Sequence, residues 1–229
     1  MTTSPKRQIA LFDAAEHGHH KRWFVAMPAS RYISFYSAFI LLLCSGLVCA
    51  GSTGLPDETF LPDEAHKQAM INSINSTNEK DGFIDQLDAD VWLVGMSARL
   101  TPFLDDEKPR LNLLRMIHSE ASRAKIPAEL VLSVIEVESH FNRFKISESG
   151  ALGYMQIMPF WLNEIGKKSD SLFDPRTNLR YGCTILKYYL DIEKGNVVSA
   201  LALFNNESPD TTKFPALVLG AYYQHWTRN

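Results

Sequence analysis

Ile126-Pro127-Ala128-Glu129-Leu130-Val131-Leu132-Ser133-Val134-Ile135-Glu136-Val137-Glu138-Ser139 reads as one helix, with Pro127 in the first turn where its missing N–H costs little. Val131, Val134, Ile135 and Glu138 recur at i, i+3, i+4 and i+7 and form one stripe. Glu129, Ser133, Glu136 and His140 form the opposite, polar stripe. A carboxyl that shares a face with Val131, Val134 and Ile135 loses hydration, and that loss disfavours its charged form and raises its pKa. Glu138 is therefore a candidate general acid near neutral pH. The same placement also fits a carboxylate that emerges at the edge of a core and pairs with an Arg or Lys, and the stripe alone does not separate the two.

Helical patterns continue on both sides of this run. Between Phe83 and Leu100, Phe83, Leu87, Val91 and Val94 fall on one face, and Pro109 opens a second helix with apolar Leu113, Leu114 and Ile117. Downstream come a loop with Gly150 and Gly153, then a short apolar turn through Met155, Ile157, Met158 and Trp161. Asp174-Pro175 starts a further helix carrying Leu179, Cys183, Leu186 and Leu190, and Gly195 ends it. A short helix from Val197 to Phe204 and a last one from about Pro215 to Trp226 complete the chain. No alternating pattern is long enough for a sheet, so the expected fold class is mainly α, with residues 81–229 as the helical domain.

The chain has 229 residues, 45% hydrophobic and 21% charged, which suits one globular domain plus additional sequence. The additional sequence is at the front. An apolar core over about 38–48 follows Arg31, and Val48-Cys49-Ala50 ends in small residues, the layout of a signal peptide cleaved after Ala50. A membrane anchor reaching back to Ile33 stays open, although a spanning helix needs about 20 apolar residues. The polar lead before Met27 is long for a signal peptide, and Met27 is an alternative start. Residues 51–80 are polar and turn-rich and read as a linker.

Removing residues 1–50 takes away Lys6, Arg7, Lys21, Arg22 and Arg31 with Asp13 and Glu16, so 23 basic and 26 acidic side chains become 18 and 24, a formal charge of −6. That balance argues against nucleic acid, which wants a basic face. Cys183 then stands alone: it has no disulfide partner and no ligand cluster for a metal, and it reads as a small core residue.

Three segments carry a more specific signal: Ile135-Glu136-Val137-Glu138-Ser139-His140-Phe141-Asn142, Gly150-Ala151-Leu152-Gly153-Tyr154-Met155-Gln156-Ile157-Met158-Pro159, and Leu203-Phe204-Asn205. Together, over roughly Leu111 to Trp226, they resemble the soluble lytic transglycosylase (SLT) family, with its lysozyme-like helical fold and active-site cleft. The resemblance implies cleavage of the MurNAc-β-1,4-GlcNAc bond of peptidoglycan with formation of a 1,6-anhydro end. It implies Glu138 as the catalytic residue and neither metal nor organic cofactor. One carboxyl suffices for this chemistry, whereas ordinary glycosidases need two flanking the bond. Glu148, in the loop after the acid, is a weaker candidate for a second carboxylate.

By the same similarity Ser147 and Gln156 match sugar-binding positions, Met155 and Met158 match apolar contacts, Gly153 lets the backbone pass close to substrate, and Phe204 and Asn205 match further substrate-binding positions. Ser139 matches a residue that supports the helix end, and Asn178 a buttress of the cleft. For the methionines, core packing is the competing reading, and it competes with sugar stacking for Trp161, Tyr222, Tyr223 and Trp226.

The chain departs from the family at Phe204, where a Tyr is common. It departs again after Asn205, where Asn206-Glu207-Ser208-Pro209 lacks the Gly that often follows. Loss of the hydroxyl should raise the pKa of Glu138 further and loosen its orientation. A peptidoglycan-binding scaffold with weak or lost activity, and a muramidase that uses water, therefore stay open. The expected partners are glycan strands in the periplasm, and cell-wall or secretion-complex proteins are compatible further partners.

Overall fold

The Ile126–Ser139 run forms a buried helix, α4 (Ala128–Ser139), in which Val131, Leu132, Val134 and Ile135 have no exposed surface. This computed structural model describes residues 61–76 and 86–227, which fall in the unit Ser52–Asn229. The expected signal segment and the first part of the expected linker lie outside the described residues.

Glu129, Ser133 and Glu136 of the polar stripe are largely covered as well, while His140 is exposed. Trp92 Nε1 donates to Glu129 Oε1 at 2.8 Å, and Trp226 Nε1 donates to Glu136 Oε2 at 2.7 Å. The two carboxylates let large indole rings pack on the helix with their N–H groups satisfied. Ser133, fully buried, donates from Oγ to the Glu129 carbonyl at 2.7 Å.

Seven further α-helices accompany α4 among the described residues: α1 (Glu64–Asn75), α2 (Gln86–Leu100), α3 (Glu107–Ala124), α5 (Trp161–Ile165), α6 (Pro175–Ile192), α7 (Val197–Phe204) and α8 (Lys213–Ala221), of which α3 and α8 pack closely on it. Each α6 start signal acts as its residue type requires: Asp174 Oδ1 accepts the Thr177 N–H at 2.9 Å, and Pro175 occupies the first turn. The last helix continues as a π-helical turn, Tyr222–Trp226, that drives Trp226 fully into the core. Arg99 holds that end by donating to the carbonyls of His225 and Thr227. The chain is mainly α, as expected. Among the described residues there is no strand, only isolated bridges joining Ile146, Leu152 and Ile157. No described helix is long and apolar enough to cross a membrane. Cys183 is a free, fully buried core residue.

Two expectations change. The stretch read as linker contains α1, capped by Asp63, whose carboxylate accepts the His66 N–H at 2.8 Å, and its Met70 and Ile74 are buried. Met70 and Ile74 are the buried side chains of α1, with Ile71 packed at the core's edge, so its sequence shows little amphipathic pattern. Part of its attachment is polar instead: Lys67 pairs with Glu164 at 2.6 Å, and Arg123 donates to Ser73 O at 2.8 Å. In α2, Leu87, Val91 and Val94 face outward, and Ala89, Trp92, Leu93, Met96 and Leu100 face inward. A tryptophan with a carboxylate waiting for its N–H outweighs a stripe of smaller side chains. Phe83 lies outside the described residues.

A buried ion cluster joins α1, α3 and α6. Glu120, 1% exposed, accepts from Arg123 Nε at 2.7 Å and from Arg180 Nη2 at 3.0 Å, with Arg176 at 3.4 Å. Arg123 also donates to Thr184 Oγ1 at 2.9 Å.

Candidate active site

Glu138 lies in the last turn of α4, and directly after it the chain bends sharply. His140 (φ 50°) and Phe141 (φ 59°) are both left-handed, a conformation that costs a non-glycine residue about 1–2 kcal/mol. The Phe141 ring anchors the bend, buried 4.9 Å from the Phe103 ring and 5.7 Å from Trp226. Ser139 Oγ donates back to Ile135 O at 3.1 Å, so it braces the helix end, as its match implies. Lys145 Nζ donates to Glu138 O at 2.5 Å and ties the returning loop to the helix terminus.

That loop is built on turns. Ser147 N–H donates to Ala151 O at 3.0 Å, Gly153 N–H to Lys145 O at 2.9 Å, and Leu152 and Ile157 exchange backbone hydrogen bonds. Gly153 has φ 78°, and a Cβ there would lie 2.4 Å from Asn178 Nδ2 and 2.5 Å from Leu172 O. Asn178 explains this crowding. Fully buried on α6, it accepts the Met155 N–H at 2.8 Å and donates to Leu152 O and Leu172 O, both at 2.9 Å. It fastens the loop to α6, the buttress that its match implies.

Helix α7 brings the third wall. Between it, the loop and Glu138 lies a cleft of about 190 Å³. Glu138, Ser147, Gln156, Met158, Phe204 and Asn205 meet there. Ser149, Ala151 and Asn206 also line it, none of them foreseen. Larger hollows occur elsewhere, one of about 430 Å³ among α1, α5 and α6, but that one contains no counterpart of the Glu138 arrangement.

Two expected cleft residues are absent from its lining. Met155 is fully buried against Gly182 of α6, where a Cβ on the glycine would come 2.3 Å from the methionine sulfur. Gly153 is dictated by Asn178 and Leu172 rather than by an approach to the cleft. Gln156 causes this division: at φ 49° it reverses the chain, so Met155 goes into the core and Met158 to the cleft. Trp161 and Trp226 are core residues, and Tyr223 is exposed on the surface. Glu148 is exposed and does not line the cleft.

Electrostatics single out Glu138. Burial pushes its pKa up from 4.5 to about 8; the Lys145 ammonium opposes the rise and the Glu207 carboxyl adds to it. At neutral pH the group holds its proton and can give it away. Gln156 lines the same space; its Nε2 donates to Gly153 O at 2.8 Å and Lys145 O at 3.1 Å, while Oε1 is out of solvent with no hydrogen-bond partner in the protein. Phe204 contributes an apolar ring and no hydroxyl. Among the described residues no cluster of His, Cys, Asp or Glu has the arrangement to hold a metal.

Residues 115–211 match the family described as Transglycosylase SLT domain. The chain is also similar to membrane-bound lytic murein transglycosylase E of Buchnera aphidicola, 33% identical over 84 residues, which are 32% of this chain and 37% of that protein. Membrane-bound lytic murein transglycosylase C of Yersinia pestis is 29% identical over 96 residues, 38% of this chain and 27% of the relative. The matches thus span well under half the length of these curated relatives.

Proposed function

From the match of residues 115–211 to the transglycosylase SLT domain family, we propose that the chain is a lytic transglycosylase that cuts the MurNAc-β-1,4-GlcNAc bond of periplasmic peptidoglycan. The observation that carries this reading is one protonated carboxyl, Glu138, in a cleft whose lining contains no other acid. Protonated Glu138 gives its proton to the glycosidic oxygen, and the C1–O bond breaks. The resulting carboxylate takes the proton of the C6 hydroxyl, whose oxygen closes onto C1. The acid is restored, a 1,6-anhydro ring forms, and no water is consumed. Gln156, its Nε2 held by two loop carbonyls, lines the cleft in which the sugar binds.

Phe204 favours a second reading, a glycan-binding protein of low activity, because the ring beside the acid carries no hydroxyl to orient it. Mass spectrometry of peptidoglycan sacculi digested with the protein and with Glu138→Gln separates the two. Anhydromuropeptides from the parent and none from the variant support the transglycosylase. Sacculus binding without product from either would support the binding protein.

A further inference from the structure

The hollow of about 430 Å³ among α1, α5 and α6 shares no lining residue with the Glu138 cleft, and its volume suits a small ligand. Its floor is preformed. Tyr181, 1% exposed, donates from its hydroxyl to Asp170 Oδ2 at 2.7 Å and accepts the Lys167 N–H at 3.3 Å. Gly166 makes room for that hydroxyl, since a Cβ there would collide with it. The segment from Gly166 to Asp170 is thus wrapped around one buried phenol. Helix α1 lies outside residues 115–211, so the hollow is not built by the family-matched span alone.

The lining carries three carboxylates, Glu164, Asp170 and Asp174, and three cations, Lys167, Arg176 and Arg180. The two sets are not equally engaged. Each carboxylate already has a donor within the protein: Lys67 Nζ for Glu164 at 2.6 Å, the Tyr181 hydroxyl for Asp170, and the Thr177 N–H for Asp174 at 2.9 Å. The cations are short of acceptors. Glu120 offers one negative charge to three guanidiniums: Arg123 and Arg180 hold it at 2.7 Å and 3.0 Å, whereas Arg176 reaches it at 3.4 Å, beyond the usual N–H···O range. The Arg176 side chain is 49% exposed, and that long contact leaves its other N–H groups open to the hollow. Lys167 is exposed, and its ammonium has no partner among the described residues.

We propose that this hollow is a second ligand site, distinct from the glycan cleft, and that it takes a carboxylate: Arg176 binds the group through its open N–H fork, and Lys167 adds charge from the loop. A carboxylate fits better than a phosphate, because the three acids of the lining oppose a doubly charged group more strongly. The site stands independently of the glycan-cleaving reading.

The test is an NMR titration of the ¹⁵N-labelled protein with four probes: N-acetyl-alanylglutamate, its uncharged counterpart N-acetyl-alanylglutaminamide, succinate and inorganic phosphate. The expected result is that N-acetyl-alanylglutamate shifts the amides of Gly166, Lys167 and Thr177 and that the uncharged counterpart does not. Arg176→Gln should weaken binding about tenfold, from loss of a charge-assisted hydrogen bond. Lys167→Gln should weaken it about threefold, as expected of a solvent-exposed charge. Both side chains lie at the surface, so the variants keep the fold, which thermal unfolding checks. A response to the dipeptide alone would support a peptide carboxylate, and an equal response to succinate would support a free organic acid. Three results would each overturn the site: no response to either carboxylate at millimolar concentration, an equal response to the uncharged counterpart or a stronger one to phosphate, or affinity unchanged in both variants. Arg176 would then be only an outer counterion of Glu120.

Discussion

At Glu138 the property that suits catalysis works against stability. Its folded pKa of about 8 lies above the ordinary 4.5, so between those pH values the unfolded chain releases a proton that the folded chain keeps. Stability therefore falls as pH rises through this window. Glu138→Gln removes the ionisation and should stabilise the protein above pH 8 by on the order of 2 kcal/mol, while changing little at pH 4. Thermal unfolding at the two pH values reads the difference, and an equal effect at both would mean that Glu138 is not held neutral by the fold. The helical stripe Val131, Val134, Ile135, Glu138 makes this acid legible in the sequence. Met155 is not legible in the same way, because an apolar residue beside a cleft segment faces in or out according to one backbone angle, that of Gln156.

Among the elements, α3 and α6 are joined by charge as well as by apolar packing. Glu120→Ala would leave Arg123, itself 3% exposed, without its carboxylate. Removing one member of a buried pair costs about 3–5 kcal/mol, so urea unfolding should show a loss of that size, with the midpoint lowered. A loss within about 0.5 kcal/mol, the range of ordinary surface changes, would mean that water reaches the cluster. The same cluster explains why α1 escapes a reading based on hydrophobic period. Its docking uses Ser73 on Arg123 and Lys67 on Glu164, contacts that leave no apolar signature. Helices α4 and α7 are legible nearly to the residue, since their apolar runs begin and end at clear signals. In α2 the apolar stripe that is visible in sequence is the one that faces outward, because burial goes to the face carrying Trp92, Leu93 and Met96.

Over the whole molecule, a buried helix is enclosed on its polar side by two indoles and opens at its C-terminal end onto a loop and a short helix. Burial of Glu138 itself keeps the acid protonated, and the opening places it at the cleft. This division explains how a chain with an acidic balance of 18 basic and 24 acidic side chains beyond residue 50 presents a cleft lined by a single carboxyl that holds its proton at neutral pH. It also yields the central claim, that one carboxyl serves as acid and then as base while the sugar's own hydroxyl replaces water. Digestion of sacculi in H₂¹⁸O followed by mass spectrometry tests that claim most directly. Anhydro ends without heavy oxygen are the expected product; reducing ends carrying ¹⁸O would show that water attacks C1 and would contradict the account.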